Sequence, residues 1–159
     1  MFKHTQGDTQ IELTTDSTLT LNGPVNIQGQ MMQDGVVIPV NITFSPAPGA
    51  ATICDVTVTL VDGNGVAVPA VHSFDLWLSD AASGAGLTAT AASGTVTNAA
   101  AGGVVISTYT PKKALRVQTL ATGVFVLEIT DSAKTGFYVA ASLGGRAVVS
   151  AQLVAGNYG

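Results

Sequence analysis

Apolar and polar residues alternate along most of this chain, most clearly across Ile53–Leu78. Cys54, Val56, Val58 and Leu60 are separated by Asp55, Thr57 and Thr59, the two-residue period of a strand with one buried face. Asp62-Gly63-Asn64-Gly65 supplies residues that tolerate positive φ, which predicts a turn. Pro69 has no N–H to donate and bars a central strand at that point. Phe74, Leu76 and Leu78 resume the alternation, so the stretch reads as a hairpin around which the remaining strands are organised.

Before it, Ile11 and Leu13, Leu19 and Leu21, and Val25 and Ile27 form short apolar pairs at alternate positions, separated by polar or glycine-containing breaks. Each pair is too short to fold alone. Such strands become stable when stacked or when intertwined with the same segment of neighbouring subunits, which covers their apolar edges. Met31 and Met32 precede a second turn signal, Asp34-Gly35, after which Val36, Ile38, Val40, Ile42 and Phe44 alternate. Val37 and Pro39 interrupt the other face, which predicts an edge or first strand. Ser45–Ala51, rigid with prolines and uncharged, reads as a linker or crossover and sets a boundary.

After Leu78 the pattern weakens. Residues 79–101 are a low-complexity run of Ala, Ser, Gly and Thr with little to anchor them, holding two weak strands, Leu87–Ala91 and Gly94–Asn98, around an exposed loop. Val104–Tyr109, Leu115–Thr119 and Val124–Thr130 follow as strands, and Phe137–Leu143 and Arg146–Val154 flank the hairpin signal Gly144-Gly145. Short strands at this spacing without an amphipathic helix predict an all-β chain, an immunoglobulin-like or jelly-roll-like β-sandwich preceded by an oligomerising short-strand segment. The expected organisation is an arm at 1–10, flexible or bound to a partner, an attachment or oligomerisation segment at 11–44, and the sandwich at 45–159. Ile11, Leu13, Leu19, Leu21, Val25, Ile27, Met31, Met32 and Phe44 are the expected contact residues of the second segment.

Composition narrows the partners. Only 10% of the 159 residues are charged, against roughly 25% in ordinary soluble domains, and the net charge is −4. A nucleic-acid partner is not expected, because phosphate neutralisation needs a basic face. Lys112, Lys113 and Arg116 cluster, but no aromatic residues interleave with them for stacking, so they read as a solvated loop after Pro111. The amino terminus, MFKHTQGDTQ, has no apolar export region, and no apolar run reaches the roughly 18–20 residues of a membrane helix, so neither export nor insertion is expected. Cys54 is the single cysteine and lies on the apolar face of its strand, where it reads as a small buried hydrophobe.

Candidate chemistry is sparse, and no cofactor is expected. The two histidines are His4, in the arm, and His72, whose spacing of three from Asp75 sends the two side chains to opposite faces of a strand. Glu12 and Glu128 are the only glutamates, and no aspartate pair stands out for acid–base work. Asp62 opens a sequence resembling a calcium loop, but Ala67 and Ser73 stand where glycine and glutamate are required. Asn41-Ile42-Thr43 fits a glycosylation sequon that is expected to stay bare without export.

Two resemblances suggest a role. Val58–Val71, with Asp62, Gly65, Val68 and Pro69 in an Asp-x-x-Gly-x-x-Val-Pro arrangement, resembles the early hairpin of bacterial and phage immunoglobulin-like domains. Gly136-Phe137-Tyr138-Val139-Ala140 is similar to their tyrosine corner, with Ala140 in the place of the second cysteine and Cys54 left without a partner. TLTLNGPVNIQG is similar to the short-strand segments of trimeric fibres, spikes and decoration proteins of tailed phages. Together these imply a non-enzymatic virion structural protein. On this view it is a homotrimeric capsid decoration protein of cement or head-fibre type, which binds the major capsid protein or other virion proteins through its amino-terminal part. Two alternatives are a fibre host-attachment module, taking a surface glycan or receptor with loops 79–101 or 109–115, and a bacterial adhesion-type immunoglobulin-like domain. Trp77, placed in a strand, and Tyr109 and Tyr158, isolated in sequence, favour decoration over glycan binding.

Overall fold

The computed structural model describes residues 25–27, 30–33 and 36–159. The chain is all-β, and among the described residues twelve strands form three antiparallel sheets. Strands β1 (Val25–Ile27), β2 (Gln30–Gln33) and β3 (Val36–Ile38) pair in order as one short sheet. A four-stranded sheet contains β4 (Asn41–Pro48), β5 (Ile53–Val61), β10 (Val124–Thr130) and β7 (Val96–Asn98), in that spatial order. The facing five-stranded sheet runs β12 (Arg146–Val149), β11 (Tyr138–Leu143), β6 (Ser73–Ser79), β9 (Ala114–Gln118) and β8 (Val104–Thr110).

Alternation in the sequence becomes burial in the fold. Cys54, Val56, Val58 and Leu60 of β5 and Phe125, Leu127 and Ile129 of β10 have no exposed surface, while the residues between them face outward. Opposite them lie Phe74, Leu76 and Leu78 of β6, Leu115 and Val117 of β9, and Val139 and Ala141 of β11. The rings of Phe74 and Phe125 meet edge to face across the two sheets, 6.4 Å apart at 87°. Each such side chain contributes about 1.5–3 kcal/mol on burial, so this shared layer holds the sandwich together.

The strand order β4-β5-β10-β7 against β12-β11-β6 follows the two sheets of a constant-type immunoglobulin sandwich, with the β8–β9 hairpin added beside β6. The inner and outer positions differ from that pattern. Ala140 lies on the outer face of β11, opposite Trp77, and the inward residues are Val139 and Ala141. It is Tyr158, near the carboxy terminus, whose buried hydroxyl donates to the carbonyl of Thr135 at 2.9 Å and pins the loop before β11.

Three sequence expectations are corrected. Ile53–Leu78 is not a hairpin, because β5 and β6 belong to different sheets. The Asp62 turn does form: Asp62 Oδ1 accepts from the amides of Asn64 and Val66, and the chain returns for a single bridge, Val61 to Ala67. Pro69 then ends the pairing, and the chain crosses to the opposite sheet. A glycine at 123, with φ +78°, lets the β9–β10 turn pack against the crossover, where a Cβ would collide with the Val68 carbonyl.

The second correction concerns the boundary at 44/45. Residues 41–48 are one continuous strand on β5, with Pro46 opposite Val56 and Pro48 opposite Cys54. Both prolines are tolerated because β4 is an edge strand. The break falls instead at Pro39, between β3 and β4. Third, Leu87–Ala91 forms no strand, and after Val149 the chain leaves the sheet.

Asp131 ties the end of the sandwich together. Its carboxylate accepts from the amides of Ser93 (3.1 Å), Ala133 (3.4 Å) and Thr135 (2.8 Å), joining the loops before β7 and β11. Burial alone would raise its pKa, but the hydrogen bonds from Thr135 and Ser93 outweigh this and hold the group at about 2, down from 3.8. A depressed pKa stabilises the fold fully above the unfolded-state value and loses that effect as pH falls through the folded-state value. Asp131→Asn is therefore expected to cost on the order of 2 kcal/mol near neutral pH. Urea unfolding over a pH series should show the gap between variant and wild type closing as pH falls from about 4 to about 2.

Candidate functional site

The outer face of the five-stranded sheet brings together Asp75, Trp77, Tyr109 and Arg116. Asp75 and Trp77 flank the buried Leu76 and so project outward from β6. Register places Asp75 opposite Arg116 on β9 and Ser142 on β11, and Trp77 between Ala114 and Ala140. Both alanines are buried, so the indole stands between two short side chains. Strand β8 contains two register shifts relative to β9, at Ile106 and at Tyr109. Such a bulge re-aims a side chain, and Tyr109 reaches over β9 to β6.

The polar contacts converge on one atom. Asp75 Oδ1 accepts from Arg116 Nη1 at 2.9 Å and from the Tyr109 hydroxyl at 3.0 Å. The ion pair is half-exposed, with side chains 38% and 39% accessible, and Tyr109 is 59% exposed. Trp77 Nε1 donates to the Gly84 carbonyl at 2.9 Å, which fixes the indole against the loop after β6. Gly84, with φ +72°, brings that loop close to the sheet: a Cβ there would lie 2.8 Å from Val149 and 3.1 Å from Ala140. Between this loop and Tyr109 runs a groove of about 360 Å³, lined by Asp75, Trp77, Gly84, Gly86, Leu87 and Tyr109.

The loop forming its wall is the run of small residues for which little anchoring is expected from sequence. In the fold it is tethered. Lys113 Nζ donates to the carbonyls of Thr88 and Ala89, both at 2.8 Å, and Lys112 Nζ donates to that of Ser93 at 2.9 Å. Asp80 accepts from the Thr88 hydroxyl at 2.6 Å and the Ala89 amide at 2.8 Å, bonds that lower its pKa. Ser79 and Thr88 are buried and hydrogen-bonded to backbone. The two lysines thus tether the loop, Lys112 from an exposed position and Lys113 from a half-buried one.

The other candidates separate. Phe44 lies on β4, partly buried against the sandwich core. Val25 and Ile27 fall on β1, and Met31 and Met32 on β2, with Val25 opposite Met32 and Met31 opposite Ile38. Ile11, Leu13, Leu19 and Leu21, with the arm at 1–10, lie outside the described residues. Cys54 is wholly buried, and burial, reinforced by the charge of Asp55, pushes its thiol up to about 11. Burial lowers the pKa of His72, whose backbone amide bonds Thr119 Oγ1 at 2.9 Å. Among the described residues no three His, Cys, Asp or Glu side chains gather as a metal site. No helix there is long and apolar enough to cross a membrane. A second cavity, of about 780 Å³, lies beside the Asp62 turn, Asn41 and Arg146, where the amino-terminal segment enters the sandwich.

The chain matches no family model, no curated protein and no solved structure. Trp77 and Tyr109, separate in the sequence, share one groove because β9 brings β8 beside β6. Only the alternation Phe74-x-Leu76-x-Leu78, which sends Trp77 outward, signals this in the sequence.

The wall depends on Lys113. Lys113→Met is expected to cost about 1–2 kcal/mol, because two charge-assisted bonds to carbonyls are lost at a partly exposed site. Limited proteolysis should show faster cleavage within residues 84–92, and the Trp77 emission should shift to the red as its Gly84 partner loosens.

Proposed function

We propose that this chain is a non-enzymatic virion structural protein, a capsid decoration protein of cement or head-fibre type. Its amino-terminal part would join identical subunits as a homotrimer and seat them on the major capsid protein, with the sandwich displayed outward. The observation that carries this is the sheet β1-β2-β3. Its strands are three or four residues long and pair with one another, not with either sandwich sheet, among the described residues. A sheet of that size needs a cover to be stable, and neighbouring subunits with the apolar pairs at 11–21 would supply it.

The use of reactive groups supports a non-enzymatic role. Asp80, Asp131, Lys112 and Lys113 are all engaged in holding loops, and burial holds the Cys54 thiol in its protonated form at neutral pH. A sparsely charged, hydroxyl-rich surface suits a protein that packs closely with copies of itself. A host-attachment role is the second reading, and the groove at Trp77 and Tyr109 is the observation that favours it.

Electron microscopy of capsids incubated with the purified chain tests the first reading. Ordered density at symmetric capsid positions is expected, together with trimers by light scattering. A chain beginning at residue 39 keeps all of β4 and should remain a folded monomer that no longer binds capsids. Strong binding to host cells without binding to capsids would overturn decoration. A trimeric truncated chain would move the subunit contact to the sandwich.

A further inference from the structure

We propose that the groove between the loop at 84–87 and Tyr109 is a binding site for an uncharged carbohydrate. This goes beyond the decoration role and stands on the sandwich alone. A pyranose ring presents a face of C–H groups and a rim of hydroxyls, so a site for it needs an aromatic surface beside polar groups that both accept and donate. The groove has both. Trp77 is fixed by its Nε1 bond to Gly84 and flanked by two alanines, and Tyr109 stands 59% exposed on the opposite side.

The polar groups are already oriented. Tyr109 and Arg116 both bond Asp75 Oδ1, which leaves Oδ2 to accept from a sugar hydroxyl. Ser142, opposite Asp75 on β11 and also in the lining, adds a hydroxyl that can donate. Asp75 is the one charged side chain in the groove's lining, and its ion pair with Arg116, beside the groove, offsets that charge. That balance selects a neutral sugar over a sialylated or phosphorylated one. Leu87, 45% exposed, adds an apolar rim. The volume of about 360 Å³ falls at the lower end of the range for small-molecule sites and holds about one or two sugar rings.

Trp77 is the chain's only tryptophan, so its fluorescence reports directly on the groove. The full chain would be titrated with a panel of neutral hexose and N-acetylhexosamine mono- and disaccharides, and with sialyllactose as the charged comparison. A saturable change in emission is expected for at least one neutral sugar, with no response to sialyllactose. Tyr109→Ala should weaken that sugar about tenfold, the loss of one stacked ring, without lowering the melting temperature. Tyr109→Phe keeps the ring and should retain most of the affinity. The proposal is overturned if no neutral sugar changes the emission at millimolar concentration, if sialyllactose binds better, or if Tyr109→Ala binds as the wild type does.

Discussion

The apolar layer between the two large sheets is the constraint on which the rest of the molecule depends. Strands β5 and β10 supply one side and β6 the other, and the Phe74–Phe125 contact marks where they meet. Because β5 is central to its sheet and β6 to the other, every outward side chain on them has a position fixed by inward packing. Asp75 and Trp77 face outward for no reason other than that Phe74, Leu76 and Leu78 face in. A one-residue slip of β6 would bury Asp75 and Trp77 and expose Phe74, Leu76 and Leu78.

Local periodicity explains what was legible in the sequence. Cys54–Leu60 alternates apolar with polar residues and Phe125, Leu127 and Ile129 recur at every second position, and both strands form where these patterns place them. Pro39 and Pro69 mark real breaks, each at a change of sheet. Pairing partners were not legible: the Asp62 turn looks like the tip of a hairpin, yet whether the chain returns to β5 or crosses to the other sheet depends on what covers Leu60 and Val68. The prolines at 46 and 48 suggested a linker because a proline-containing strand is acceptable only at an edge, and edges are properties of the assembled sheet.

The loop at 79–92 illustrates a second kind of blindness. Its composition suggests slackness, and the residues that hold it, Lys112 and Lys113, lie beyond the intervening strands. The groove was hidden in the same way. Tyr109 reaches Asp75 through a bulge in β8 and the interposition of β9, neither of which leaves a mark in the local pattern. Side chains brought together by register, not by spacing, are those a sequence reading treats as isolated.

On the proposed function, the molecule would divide its labour between a sandwich stable by itself and a short-strand sheet that needs neighbouring subunits. Amide hydrogen exchange of the full chain over a range of concentrations tests that division most directly. Amides of β5, β6 and β10 should be strongly protected at every concentration, whereas those of β1, β2 and β3 should gain protection only as subunits associate. Equal protection of β1–β3 in dilute, monomeric protein would contradict the account, because those strands would then be stable without a partner.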